Sequence, residues 1–243
     1  MLEPPASPPS SHTWTIREVS IARAWLSSCM SEHDICQHDI EKGRSSKLPT
    51  RLVYITHNGT ALTACLCETA TLPTCNDHRY LTLSHCWGTK KFLTLTYQNY
   101  KEFTEAIPIS DADFNQTFRD AFQVTFDLGY HYIWIDSLCI IQDPNSTTDW
   151  ENECPHIGDY YTNSDCNISA SASTGTKGLF GKRDLETYAP PKVPGNESYL
   201  LFDVYKHLAE LRNAPVLRRG WVMQENALVG TQLVLPWTEW KSV

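Results

Sequence analysis

The most apolar stretch of the chain is the segment Tyr132–Asp143, YIWIDSLCIIQD, in which single polar residues stand among aromatic and β-branched ones. A run of this kind, preceded by Gly129 and closed by a Pro-Asn pair, predicts a buried central strand that runs out into a loop. Asp136 is the exception within it, because burying an unpaired carboxylate is very costly. Since open α/β sheets bind ligands at the carboxyl ends of their strands, Asp136 is a candidate site residue.

A second strand, Tyr80–Cys86, is predicted from the sequence YLTLSHC. Between the two strands, Thr117–Leu128 repeats apolar side chains at the i, i+3, i+4, i+7 spacing of an amphipathic helix, with Thr117 as the expected cap and Gly129 as the stop. Strand, helix and strand in this order form a βαβ unit with parallel strands. The polar ends of both strands are therefore expected to meet in one cleft.

The remaining pattern predicts flanking helices and further strands. Residues 1–13, rich in Pro and Ser, are expected to be disordered, and Trp14–Met30 to form an amphipathic helix. Leu48–Ile55 and Ala61–Cys67 are expected to pair as a hairpin. Further elements are predicted as a helix over Asp149–Tyr161, strands over Cys166–Ala172, Tyr199–Tyr205 and Thr231–Trp237, and a helical face over Leu217–Leu228.

These elements predict an α/β fold with a mainly parallel central sheet and flanking helices. The expected organisation is a tail over residues 1–13, an N-terminal helix and hairpin region over 14–79, and the main domain over 80–243.

Charge and hydropathy narrow the functional classes. A net charge of -8 and a pI near 5.5 argue against a nucleic-acid or anionic-membrane surface, both of which need clustered Lys and Arg. The N-terminus lacks the basic and apolar regions of a signal peptide. No stretch approaches the ~20 apolar residues of a membrane helix. We expect a cytoplasmic protein with no membrane span and no nucleic-acid partner.

The nine cysteines show no framework spacing, which favours reduced thiols. Cys29, His33 and Cys36 are zinc-type ligands, but the usual paired C-x2-C spacing is absent, so a helix end followed by a loop is the favoured interpretation and no metal is predicted. Cys65, Cys67, Cys75 and His78 form a second, equally weak set.

A glycine-rich loop over residues 175–183 carries three cations. Its glycines are spaced one residue too far apart for a Walker phosphate loop, and Arg183 stands where that loop requires Ser or Thr. A flexible connection is therefore favoured, although its charge could serve an anionic ligand.

Five motifs occur in a family order: YLTLSHCWG (80–88), TFRDAFQVTFDLGYHYIWIDSLCIIQD (117–143), DWENE (149–153), GLFGKR (178–183) and RRGWVMQE (218–225). In this order they resemble the fungal heterokaryon incompatibility (HET) domain, and the upstream residues 25–52 resemble the segment that commonly precedes it. The closing segment, Trp237-Thr-Glu-Trp240, departs from the family's usual W-E-C, and we expect a truncated or altered end there.

The resemblance implies a role in fungal non-self recognition and programmed cell death, with an incompatible partner protein or self-association. It also implies a distant likeness to Toll/interleukin-1 receptor (TIR) domains, which have a flavodoxin-like sheet. Some TIR domains cleave NAD with a glutamate, so NAD is a candidate substrate, and no cofactor is predicted.

Three carboxylates in the family motifs are catalytic candidates: Asp136, Glu153 and Glu225. In a glycosyl-cleaving site such a group stabilises an oxocarbenium-like centre. The candidate ligand-binding residues are the polar and aromatic side chains of the same motifs, namely Ser84, His85, Trp87, Arg119, Arg219, Trp221 and Gln224. For any one of them a structural ion pair or core packing is the favoured alternative.

Two other mechanisms stay open at this point. A hydrolase would use Cys139 as nucleophile with His85 as base and Asp136 as orienter. Cys86 is disfavoured as the nucleophile, because it adjoins His85 in the predicted strand and neighbouring residues of a strand face opposite sides of the sheet. A non-catalytic module would instead signal by association through its acidic surface and exposed aromatic residues.

Overall fold

The computed structural model of the chain describes residues 12–32, 48–73, 78–88, 91–170, 178–182 and 231–234. Its strands are β1 (Arg51–His57), β2 (Leu62–Glu68), β3 (Tyr80–Ser84), β4 (Tyr132–Trp134), β5 (Cys166–Ser169) and β6 (Gln232–Val234). Its α-helices are α1 (Ile16–Glu32), α2 (Tyr100–Glu105), α3 (Gln116–Asp127), α4 (Asp136–Cys139), α5 (Thr148–Glu153) and α6 (Ile157–Thr162). None of these helices is long and apolar enough to cross a membrane.

The strands form one mixed sheet in the order β2-β1-β4-β3-β5-β6. β4, β3, β5 and β6 are parallel, whereas β1 runs antiparallel to both β2 and β4. The α/β class is confirmed, but the expectation of a mainly parallel sheet holds only for the strands from β3 onward. Within this parallel part the spatial order is β4-β3-β5-β6, so the first connection runs from β3 to β4 on one side and the later ones lead to β5 and β6 on the other. The direction of the connections therefore reverses between β3 and β5.

The predicted hairpin and βαβ unit are both present. In the hairpin, Val53 is opposite Leu66, and the turn is held by Asn58, whose side-chain oxygen accepts hydrogen bonds from the backbone of Thr60 and Ala61. In the βαβ unit, α3 connects β3 to the parallel β4, and Leu81 is in register with Ile133.

The residue that caps the start of α3 is not the predicted one. Asn115 caps the helix, and its side-chain oxygen accepts a hydrogen bond of 2.9 Å from the backbone nitrogen of Thr117. The hydroxyl of Thr117 instead accepts the backbone N–H of Gly178. The predicted stop is confirmed, because Gly129 has a φ of 89°, a conformation that side chains with a Cβ rarely adopt.

The central apolar segment is a strand for only three residues. β4 ends at Trp134, and Asp136–Cys139 forms the single helical turn α4, so the predicted longer strand is wrong. Three of the four residues of α4, Ser137, Leu138 and Cys139, are buried, and so short a buried run has no periodicity that separates a helical turn from a strand.

The other predicted elements are shorter than expected. The helix predicted over Asp149–Tyr161 is interrupted by a 3-10 turn at Cys154–His156, which contains Pro155. The strand predicted over Cys166–Ala172 ends early, at Ser169, and the described part of the strand predicted over Thr231–Trp237 is Gln232–Val234. The predictions over 199–205 and 217–228, and the altered C-terminal end, lie outside the described residues.

The end of the predicted disordered tail is fixed by contacts. His12 pairs with Lys182 in a short bridge, and the backbone nitrogen of Thr13 donates to the carbonyl of Gly181 at 3.0 Å. Trp14 stacks on Phe180. The segment that precedes α1 is therefore attached to the loop that follows β5.

Candidate functional site

The ends of β3 and β4 meet, as the parallel βαβ unit predicts. Trp87 Nε1 donates a hydrogen bond of 3.0 Å to Asp136 Oδ2, and His85 Nδ1 lies 3.8 Å from Asp136 Oδ1. We call these three residues, His85, Trp87 and Asp136, the carboxyl-edge site. The chain brings them together because Trp87 follows β3 and Asp136 follows β4 at the same edge of the sheet.

Asp136 is the accessible acid of this site. Its side chain is 30% exposed, and its Oδ1 accepts a 2.6 Å hydrogen bond from the backbone nitrogen of Ser137. It is the first residue of α4. The carboxylate is thus held by two N–H donors while it remains in contact with solvent, which is the combination that a group acting on a ligand requires.

Aromatic rings surround the histidine. His85 is 3% exposed, stacks on Trp87 at 6.4 Å between ring centroids, and meets Phe118 edge-on at 5.0 Å. Phe92 contacts Trp87 and Phe118 as well. The distance of 3.8 Å from His85 Nδ1 to Asp136 Oδ1 is longer than a hydrogen bond.

Ser84 faces a different set of partners. Its hydroxyl accepts a 2.9 Å hydrogen bond from Asn167 Nδ2, and Asn167 Oδ1 accepts from Thr82 at 3.1 Å. All three side chains are buried. Ser84 therefore contributes to a polar link between β3 and β5, where the connections reverse direction.

Glu153 is not part of the carboxyl-edge site. It lies in a buried ion cluster with Arg51 and Asp149. The residue is 5% exposed, its Oε2 accepts a 2.8 Å hydrogen bond from the hydroxyl of Tyr160, and its Oε1 lies 3.9 Å from Arg51. Burial and the neighbouring Glu153 raise the pKa of Tyr160, so that hydroxyl stays a donor.

Arg51 is the centre of the cluster, although it was not among the predicted site residues. Its Nε donates to the carbonyl of Cys139 at 2.6 Å, and its Nη2 donates to Asp149 Oδ2 at 2.5 Å. Burial alone would lower the pKa of Arg51, but the hydrogen bond with Asp149 and the charges of Asp149 and Glu153 raise it overall. Asp149 also accepts the backbone N–H of Ile141. The only local signal was a cation at the start of an apolar strand.

Arg119 holds a loop. Its Nε donates to the carbonyl of Ile109 at 2.7 Å, its Nη2 donates to the carbonyl of Asp111, and its guanidinium lies over the ring of Phe114. These contacts direct the cation towards the segment before α3.

The glycine-rich loop is anchored by a carboxylate. Asp120 Oδ2 accepts hydrogen bonds from the backbone nitrogens of Leu179 at 2.6 Å and Phe180 at 3.2 Å. Burial raises the pKa of Asp120, although these hydrogen bonds act in the opposite direction. The backbone N–H groups of Leu179 and Phe180 are thus occupied by Asp120 rather than open to a phosphate, and the described residues 178–182 are packed rather than a flexible connection.

The cysteine hydrolase interpretation has little support. Cys139 is 1% exposed, and burial raises the pKa of its thiol to about 12, so the nucleophilic thiolate is scarce at neutral pH. Cys29 is also buried, with its sulfur 3.1 Å from the hydroxyl of Thr231. Its suggested metal partners, His33 and Cys36, lie outside the described residues, as does Cys75 of the second set. The remaining candidates, Arg219, Trp221, Gln224 and Glu225, lie outside them too.

One family model matches the chain: the heterokaryon incompatibility protein (HET) family, over residues 80–225. Searches of the curated proteins and of the solved structures found no match to this chain. The matched range includes β3, α3, β4 and the whole carboxyl-edge site, and it covers more than half of the 243 residues. The chain therefore belongs to the heterokaryon incompatibility (HET) family.

Proposed function

We propose that this protein acts in fungal non-self recognition and triggers programmed cell death when it meets an incompatible partner. The observation that carries the proposal is the family match, because the matched residues build one continuous feature, the carboxyl-edge site. The working location is taken to be the cytoplasm.

Within the site, Asp136 is the group that we assign to function. Glu153 is buried and paired with Arg51 and Tyr160, so its carboxylate contributes to stability and cannot reach a ligand without breaking those contacts. Asp136 is 30% exposed and lies beside the indole of Trp87.

Cleavage of NAD is a second candidate function, and one observation favours it. The site follows β3 and β4, next to the place where the strand connections reverse, and doubly wound sheets, including flavodoxin-like ones, bind nucleotides at such a place. A carboxylate there could stabilise the oxocarbenium-like ribose that forms when the bond to nicotinamide breaks. In that mechanism Asp136 supplies the negative charge that stabilises the ribose, and Trp87 supplies an aromatic contact to the nucleotide. The activity would then resemble that of the TIR domains that cleave NAD.

The test is expression of the chain in fungal cells beside Asp136→Asn and the control Asp113→Asn. Asp113 is an exposed carboxylate in the loop before α3, so the control makes the same chemical change away from the site. Thermal unfolding would establish that the three proteins are equally folded. We expect growth arrest and death with the parent and with Asp113→Asn, and survival with Asp136→Asn.

NAD content measured before death separates the two mechanisms. NAD loss that Asp136→Asn prevents supports cleavage. Death with unchanged NAD, again prevented by Asp136→Asn, supports association with a partner through this edge. A folded Asp136→Asn protein that kills as well as the parent would contradict the assignment of the site, and a folded parent that leaves growth unchanged would contradict the role in cell death.

A further inference from the structure

A cavity of about 500 Å³ lies at the other edge of the sheet. Its walls are one side of α1 and the chain around the starts of β3 and β4, formed by Arg23, Leu26, Ser27, Met30, Ser31, Arg79, Leu128, Gly129, Tyr130, His131 and Tyr132. The volume is within the range of sites that hold small molecules.

The cavity is separate from the carboxyl-edge site. Arg79 immediately precedes β3 and Tyr132 begins β4, so the cavity opens at the amino ends of the strands whose carboxyl ends carry Asp136. Its other wall, α1, lies before the residues that the family model covers. An inference about this cavity therefore does not rest on the proposed function.

Two cations stand in the lining. Arg23 and Arg79 contribute guanidinium groups, and no acidic residue lines the cavity within the part of the chain that the structure describes, although the chain as a whole carries a net charge of -8. Among the described residues Arg23 contacts no carboxylate, and its Nε donates to the backbone carbonyl of Asp127. Its charge is therefore available to a ligand.

Arg79 is fixed in place by partners behind it. Its Nε donates to Asp165 Oδ2 at 2.5 Å and its Nη2 to the hydroxyl of Tyr130 at 3.1 Å. The Asp165 side chain is 1% exposed, whereas that of Arg79 is 37% exposed. Asp165 takes up both Nε and Nη2 of this guanidinium, so Arg79 is a fixed part of the cavity wall, and Arg23 is the cation assigned to the ligand.

Five of the nine other described lining residues are apolar or aromatic, namely Leu26, Met30, Leu128, Tyr130 and Tyr132. Ser27, one helical turn after Arg23 on α1, is also in the lining. A ligand that fits this lining has a charged end and an apolar body of about the size of a ring system.

We propose that this cavity binds a small organic anion, in which a phosphate or a carboxylate is carried on an apolar ring. Two pairs of probes test the shared chemistry and separate its two sources: adenosine 5′-monophosphate against adenosine, and indole-3-acetate against indole-3-ethanol. Binding would be measured on the isotope-labelled full chain from the amide NMR shifts of Leu128–Tyr132.

We expect at least one of the two anions to shift these amides at millimolar concentration or below, and its neutral counterpart to bind about tenfold more weakly or not at all. Arg23→Gln should weaken the anion by about tenfold, as expected for loss of a charge-assisted hydrogen bond. Arg17→Gln, the same change six residues earlier on α1 and outside the cavity lining, should leave binding unchanged. Ser27→Trp should block binding of the anion without changing the charge.

The proposal is overturned if neither anion shifts these amides, if the neutral compounds bind as well as the anions, or if Arg23→Gln and Arg17→Gln have equal effects. Because Ser27 and Arg23 are exposed on α1, both variants are expected to fold, and their amide spectra report this directly. These measurements use no cell death and no NAD, so their failure would be independent of the proposed function.

Discussion

Replacing Arg51 with methionine tests whether the buried ion cluster attaches the hairpin to the helices that follow β4. Methionine keeps an unbranched apolar stem but removes the hydrogen bonds to the carbonyl of Cys139 and to Asp149. It also removes the positive charge 3.9 Å from Glu153. Two carboxylates would then remain in a poorly hydrated region without a cation.

The size of the effect follows from these contacts. A net ~1.5–3 kcal/mol for each hydrogen bond to a charged group gives about 3–6 kcal/mol for two. Breaking a buried ion pair by removing one partner costs a similar ~3–5 kcal/mol. The Asp149 side chain is 16% exposed and can regain some hydration, so the lower end is expected, about 3 kcal/mol. That is a large part of the ~5–15 kcal/mol by which domains are stable.

The assay is urea unfolding followed by tryptophan fluorescence, with Lys101→Met as the control. Lys101 is exposed on α2, so its replacement should change the free energy of unfolding by less than about 0.5 kcal/mol. The second arm is Glu153→Gln. Alone it should destabilise the protein, but in the Arg51→Met background it should stabilise it, because it removes one of the two uncompensated charges.

Two results would refute this reasoning. One is a loss of less than about 1 kcal/mol for Arg51→Met, the range of an exposed salt bridge. The other is an effect of Glu153→Gln that has the same sign in both backgrounds. The latter would return Glu153 to the list of groups that act on a ligand.

Two further predictions concern the loop held by Asp120. Gly178→Ala should destabilise the protein by about 1–3 kcal/mol or more, because Gly178 has a φ of 89° and an added Cβ would lie 2.5 Å from Asp120 Oδ2. The control in urea unfolding is Gly59→Ala, because Gly59 has a similar φ but open space around it. Equal losses for the two variants would contradict the steric argument. Asp120 has a raised pKa in the folded protein, so its contribution to stability is complete below the unfolded value of about 3.8 and is lost as the pH rises through the folded value. The free energy of unfolding of the parent relative to Asp120→Asn should therefore fall with rising pH in the acidic range and level off near neutrality. Urea unfolding at a series of pH values measures this difference. If the difference rises with pH instead, the hydrogen bonds to the Asp120 carboxylate outweigh the effect of its burial.

Local signals predicted the parts of the fold that local physics decides. The hairpin follows from two apolar strands around Asn58 and Gly59, and the parallel βαβ unit follows from the periodicity of α3 and its stop at Gly129. Because parallel strands end at the same edge, the approach of Trp87 to Asp136 could be expected before any coordinates were known.

Long-range pairing could not be predicted in the same way. Nothing near Arg51 indicates that its partners are Asp149 and Glu153, about a hundred residues later in the chain. The position of β1 beside β4 was equally hidden, because an apolar strand is compatible with many neighbours. The turn α4 was missed because four residues, three of them buried, are too few to show the periodicity that identifies a helix.

The position of β1 has a consequence for where the gene of this protein could be divided by recombination. The family match begins at Tyr80, but β1 lies inside the sheet, where it pairs with β4 on one side and β2 on the other. A gene fusion or exon boundary at Tyr80 would leave the edge of β4 unpaired, and open strand edges invite aggregation. A recombination product of this chain that folds must therefore carry the hairpin together with residues 80–225, so the unit that folds begins before the matched range does.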